Sequence, residues 1–233
     1  MNIVVTGASR GIVYELVKLL ARDPSRNILA MARNLKALEE LKSACRKQYG
    51  SEISIERVDI SGNGFADTLG KTMEKVMPRV DILVNTAGLL INKPFGKLDG
   101  VDFDRIFSVN VKGPFLLTRM LLPRFNHPAH VVNIGSMGGF QGSVKFPGLS
   151  LYSASKGALA VLTECMAEEF GEQGVRVKCL ALGSAQTEML AEAFPGFRSP
   201  VSAGQMAAFI ADFCLNGHLY FNGKVLPVAV TTP

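Results

Sequence analysis

The chain is short of several things, and each shortage narrows what it can be. No uninterrupted apolar run in its 233 residues reaches the roughly 18 needed to cross a bilayer, so no membrane span is expected. Its four cysteines, Cys45, Cys165, Cys179 and Cys214, lie far apart with no CxxC spacing. That rules against a zinc cluster and a disulfide scaffold, and reads as reduced, mostly buried thiols in a cytoplasmic protein. The three histidines, His127, His130 and His218, do not group, so neither a metal site nor a histidine base is assigned. No Lys/Arg run and no basic-aromatic interleaving accompanies the net charge of +5, so nucleic acid is not expected as a partner. The N-terminus lacks the basic-then-apolar profile of a secretory signal. Collagen-like period, low-complexity tract, linker and internal repeat are all missing, which leaves one domain over residues 1–233.

What is present is a core-forming chain, 48% hydrophobic and 19% charged. Short β-rich runs alternate with longer helical stretches. Strands are expected at residues 2–6, 27–32, 53–58, 81–84, 130–134, 175–180 and 225–230. Helices are expected at 12–22, 35–49, 101–125, 151–173 and 202–216, where apolar residues recur at helical spacing. The strands are continuous apolar runs rather than alternating ones, as strands covered on both faces must be. The pattern predicts an α/β fold: a doubly wound parallel sheet of about seven strands with helices on both faces.

The first strand feeds Gly7-Ala8-Ser9-Arg10-Gly11, a Gly-rich turn that opens a helix. Gly7 allows the tight turn and Gly11 a close backbone approach, while the helix end offers free N–H groups to a phosphate. The spacing is G-x-x-x-G, not G-x-G-x-x-G. With Asn85-Thr86-Ala87-Gly88 after the fourth strand, TGASRGI resembles the short-chain dehydrogenase/reductase family over nearly the whole chain. The resemblance implies a Rossmann-type domain and a nicotinamide dinucleotide held by Gly7, Ser9, Arg10, Gly11, Ile12, Asn85, Ala87 and Gly88. It also implies Gly183 and Thr187 beyond the sixth strand. Val13 stands where the family has a third Gly, and its bulk is expected to weaken cofactor binding. An acid after the second strand would accept from the ribose 2′-OH of NAD. Here the residues are Ala32-Arg33-Asn34, and Arg33 together with Arg10 suits a 2′-phosphate, so NADP(H) is expected. Asp59-Ile60 resembles the pair that contacts adenine.

Tyr152 and Lys156 fit Y-x-x-x-K, but so do Tyr14 with Lys18 and Tyr220 with Lys224. Only Tyr152 opens a long helix after a strand ending Val132-Asn133-Ile134-Gly135-Ser136, and positions i and i+4 share a helix face. A free phenol has a pKa near 10, so an ammonium beside it is expected to lower that value and make it a usable acid-base group. Lys156 is given this role and that of holding the nicotinamide ribose; Ser136 polarises the carbonyl oxygen. The resemblance adds Asn110, which would hold a water relaying protons from Lys156. It also locates departures at Thr86, Gly135 and Leu182. A lid is expected near 188–200, with Met189, Leu190, Phe194 and Phe197, and Phe140, Phe146 and Leu149 are expected to line the substrate pocket. The reading is an NADPH-dependent reductase of a ketone or aldehyde, assembled as a homodimer or homotetramer. The alternative is a weakly active or inactive NADP-binding sensor or scaffold.

Overall fold

The computed structural model describes residues 1–62 and 64–230. Its strands are β1 (Asn2–Thr6), β2 (Asn27–Ala32), β3 (Ser54–Arg57), β4 (Val80–Asn85), β5 (Phe125–Ile134), β6 (Val175–Leu182) and β7 (Val225–Val228). They form one sheet in the order β3-β2-β1-β4-β5-β6-β7, with every pairing parallel. The order reverses between β1 and β4. A cleft therefore opens there beyond the carboxyl ends of the strands, where open α/β sheets bind ligands.

Eight α-helices complete the described fold: α1 (Gly11–Leu20), α2 (Leu35–Tyr49), α3 (Phe65–Val76), α4 (Gly100–Phe107), α5 (Gly113–Leu121), α6 (Ser150–Phe170), α7 (Glu188–Ala193) and α8 (Ala203–Asn216). Side chains alternate across each strand, so the inner strands feed two cores, one on each face of the sheet. Ile3, Val5, Ile28, Val84 and Val132 pack against α1, α2 and α8. Val4, Leu29, Leu83, Val131 and Val177 pack against α3, α5 and α6. This is why the strands read as continuous apolar runs. Local signals set the helix ends. The Asn34 side chain accepts from Ala37 N and starts α2, and Gly50 at φ 68° ends it. Ser202 and Gln205 form a capping box on α8.

Three expectations need correction. The predicted helix over 101–125 is interrupted: α4 passes through a π-turn at Ser108–Lys112 into α5, and the chain is already in β5 at Phe125. The interval between the third and fourth strands, given no element above, holds α3, whose Phe65, Leu69 and Met73 are buried. The lid region contains a two-turn helix, α7, whose N-cap Thr187 accepts from Leu190 N at 3.2 Å. Cys45, Cys179 and Cys214 are buried, Cys165 is exposed, and all four are free. Among the described residues no helix is long and apolar enough to cross a membrane.

Candidate active site

The loops after β1 and β4 are tied together by one hydroxyl. Thr6 Oγ1 accepts from Thr86 N at 2.9 Å and Ala87 N at 3.1 Å. Gly7, at φ 78°, fits beneath this junction; a Cβ there would stand 2.9 Å from Ala87 Cα. Gly11 opens α1 at φ 61°. The N-cap residue Arg10 makes no side-chain cap, so the first N–H groups of α1 face the cleft unspent. Ser9, Arg10, Gly11, Tyr14, Gln186 and Thr187 are among the residues around an open cavity of about 570 Å³.

Val13 does not line that cavity. It is 7% exposed and packs in the core beneath the loop. Arg33 is exposed at the end of β2, and Asn34 is spent on capping α2. Burial raises the Asp59 carboxyl, but the Ser61 hydroxyl at 2.6 Å, its N–H at 3.0 Å and the Arg33 charge together hold it below the usual range. Ile60 is buried and fills the space over Gly113, where a Cβ would lie 2.7 Å from its Cδ1. Arg10, expected to meet a phosphate, is engaged instead by Glu192 of α7 at 2.7 Å. Gly183 is pressed against β7, its N–H donating to Val228 O at 2.9 Å.

The opposite wall carries Ser136, Tyr152, Lys156 and Asn110. Ser136 follows β5 and caps a 3₁₀ turn, Met137–Gly139, accepting from Gly138 N at 3.2 Å. That turn sits directly on α6: a Cβ on Gly139 would lie 2.5 Å from Gly157 N. The contact sets Ser136 beside the first turn of α6, where its hydroxyl is close enough to the Tyr152 phenol to favour the ionised form. Lys156 is 4% exposed, and its Nζ donates to Ile134 O at 2.8 Å. Burial pulls its pKa down to about 8.

The expected lowering of the Tyr152 phenol is not what this geometry gives. Burial raises its pKa, and the nearby Ser136 hydroxyl offsets only part of that. The Lys156 ammonium lies 5.9 Å from the ring centroid and is turned to Ile134 O. Tyr14 and Lys18 stand at nearly the same separation, 5.8 Å, which shows that the i, i+4 spacing alone carries no chemistry. Tyr220 is 76% exposed, outside the site.

Asn110 sits in the π-turn, completely buried. Its Oδ1 accepts from Leu89 N at 2.8 Å, and its Nδ2 donates to Leu89 O at 2.9 Å and to Ser155 Oγ at 2.9 Å. Both amide N–H groups are thus spent on protein. A Cβ on Gly88 would lie 3.5 Å from Lys156 Nζ and 3.7 Å from Asn110 Oδ1, so the Asn85–Gly88 loop closes over both. Asn85 itself is buried beneath, donating to Asn133 Oδ1 at 2.9 Å.

Sequence reasoning missed three contributors. Ser155 bridges Asn110 to Tyr152 O, at 2.7 Å to the latter, and was visible only as a polar residue within Y-x-x-x-K. Cys179 lies under Gly135, where a Cβ would stand 2.6 Å from its Sγ. Burial raises the Cys179 thiol to about 11. The Glu192 contact joins residues 182 positions apart and left no local signal.

Comparison with known proteins bears on the same elements. The family model described as short chain dehydrogenase matches residues 1–196. Gluconate 5-dehydrogenase of Gluconobacter oxydans is 33% identical over 189 residues, covering 79% of this chain and 71% of that one. A 3-ketoacyl-(acyl-carrier-protein) reductase from Brucella melitensis, solved with NADH, superposes with TM-score 0.86 at 26% identity over 98% of this chain and 96% of that one. A short chain dehydrogenase from Shigella flexneri, solved with NADP, superposes with TM-score 0.87 at 25% identity over 98% and 95%. Fold, loop geometry and sequence match agree, and the chain belongs to the short-chain dehydrogenase/reductase family of nicotinamide-dependent oxidoreductases acting on carbonyl and alcohol groups.

Proposed function

We propose that this protein is an NADPH-dependent reductase of ketones or aldehydes, reversible toward the alcohol, with 3-oxoacyl thioesters and xenobiotic carbonyls among its candidate substrates. The observation that carries the reading is the convergence of Ser136, Tyr152 and Lys156 beyond the carboxyl end of β5, with Lys156 against the Asn85–Gly88 loop that follows β4. The residues around the cleft fit a dinucleotide. The uncapped end of α1 suits a pyrophosphate, and Gly7 and Gly11, at φ 78° and 61°, form the turn that presents it. Exposed Arg33 and the lack of an acid after β2 favour a 2′-phosphate.

When bound, the nicotinamide supplies hydride to the carbonyl carbon. Ser136 donates a hydrogen bond to the carbonyl oxygen and Tyr152 protonates it. The raised phenol suits that role, because it holds its proton at neutral pH. Lys156, still largely protonated near neutrality, orients the ribose and resupplies the proton. Asn110 positions the set by fixing Leu89 and, through Ser155, the first turn of α6. A second cavity of about 370 Å³, lined in part by Gly138, Phe146, Ser150 and Ser153, lies along the connection from Ser136 to Tyr152 and would take part of a substrate.

The test follows NADPH and NADH consumption over a panel of carbonyl compounds. Turnover is expected with NADPH preferred, and Arg33→Ala is expected to lose most of that preference. Tight NADPH binding without turnover on any compound would favour the sensor reading.

A further inference from the structure

We propose that Glu192, acting through Arg10, sets how tightly the cleft takes a phosphorylated nucleotide. Helix α7 lays two carboxylates on the anion-binding end of α1, and the cofactor phosphates must displace them. The inference rests on reading the cleft as an NADP(H) site. Glu188 and Glu192 are four residues apart on α7 and so share one face. Glu192 holds the Arg10 guanidinium with both oxygens, at 2.7 and 3.5 Å. Glu188 lies over the first residue of α1: a Cβ on Gly11 would stand 3.5 Å from its Oε2. The two acids thus cover the two features that suit an anion, the uncapped N–H groups and the loop guanidinium.

The arrangement is held without being locked. Thr187 caps α7 at one end, and Asn92 Nδ2 donates to Ala193 O at 2.8 Å at the other. The Arg10 and Glu192 side chains are 48% and 63% exposed, and an exposed ion pair of this kind is weak. It biases α7 toward the loop yet yields to a dinucleotide. While it persists, Arg10 is withheld from the 2′-phosphate. Glu192 is therefore a positioning residue that works against the NADPH preference given by Arg10 and Arg33. Glu188 faces the helix end and opposes both nucleotides alike.

Equilibrium binding of NADPH and NADH, read by calorimetry without substrate, tests this. Glu192→Gln is expected to tighten NADPH about threefold to tenfold and NADH by less. Glu192→Asp, which keeps the charge, stays near the wild type. Glu188→Gln tightens both nucleotides to a similar degree. Arg10→Ala weakens NADPH, and in that background Glu192→Gln changes nothing. If Arg10→Ala weakens NADPH while Glu192→Gln leaves it unchanged, the Glu192 proposal is overturned and the NADP(H) reading stands. If Arg10→Ala leaves NADPH binding unchanged, the assignment of Arg10 to the phosphate fails and the proposal goes with it. Tightening by Glu192→Gln that persists in the Arg10→Ala background also contradicts the proposal, because the effect would not pass through Arg10.

Discussion

At the scale of single residues, the site is governed by which neighbour takes each hydrogen bond. Tyr152 and Lys156 are close, yet the ammonium is given to Ile134 O, and the phenol has only the nearby Ser136 hydroxyl to favour its ionised form. Burial then sets both pKa values, upward for the phenol and downward to about 8 for the amine. Carbonyl reduction is accordingly expected to hold steady below about pH 8 and to fall above it, as Lys156 and then Tyr152 lose their protons. A kcat/KM profile in the reductive direction checks this. Cys179 Sγ fills the space that a side chain at Gly135 would need. Gly135→Ala should cost about 1–3 kcal/mol in urea unfolding by overpacking, and adding Cys179→Ala should recover part of it. Tyr152, Lys156 and Ser136 were legible in the sequence because their spacing and order are local. The Gly135–Cys179 fit was not, since it joins neighbouring strands 44 positions apart in the chain (179 − 135).

At the scale of elements, the π-turn matters most. A regular helix through 101–125 satisfies the apolar periodicity, and nothing in that pattern marks the break. The turn is visible only when Asn110 is seen clamping Leu89 N and O, which the register of a continuous α-helix would not present. Asn110→Ala should strand the Leu89 backbone pair at about 1–3 kcal/mol per buried group, with a fall in kcat larger than any change in KM. Urea unfolding and steady-state kinetics on the same variant read both effects. Helix α1 shows the converse. Val13 was flagged from a family pattern as bulk against the cofactor, while its side chain lies in the core. Val13→Gly should therefore lose stability, from packing and from glycine in a helix, by about 2–4 kcal/mol. Whether nucleotide affinity rises in that variant decides the original expectation. The strands and four of the helices were readable because the sheet, buried on both faces, imposes its pattern strongly. The lid helix α7 was not, because two turns fixed by Thr187, Asn92 and Arg10 leave little periodicity.

At the scale of the whole molecule, buried basic groups make stability depend on pH. Lys178 on β6 has no exposed surface, and its Nζ has no hydrogen-bond partner among the described residues. Burial and the Arg176 charge lower its pKa to about 7. The sign follows from proton counting. Between the folded values, about 7 for Lys178 and about 8 for Lys156, and the ordinary lysine value, the unfolded chain binds more protons, so stability rises with pH. Each lysine contributes at most about 1.4 kcal/mol per pH unit across its window. Cys45 and Cys179, raised to about 11, and Cys214, raised to about 12, act oppositely once unfolded thiols ionise near pH 9. On the acid side, His130 is pulled down to about 3 by burial, so stability is lost as pH falls below the ordinary histidine value. Urea midpoints should therefore rise from pH 7 to 9, and Lys178→Met should flatten that rise while stabilising the protein at pH 6.

The central claim is that the Ser136–Tyr152–Lys156 wall turns a nucleotide-binding fold into a carbonyl reductase. One comparison tests it most directly: NADPH affinity and carbonyl turnover in Tyr152→Phe beside the wild type. Wild-type NADPH binding is expected in the variant, with turnover reduced at least about a hundredfold, because only the proton donor is removed. Undiminished turnover in Tyr152→Phe, with the variant folded and NADPH bound, would contradict it.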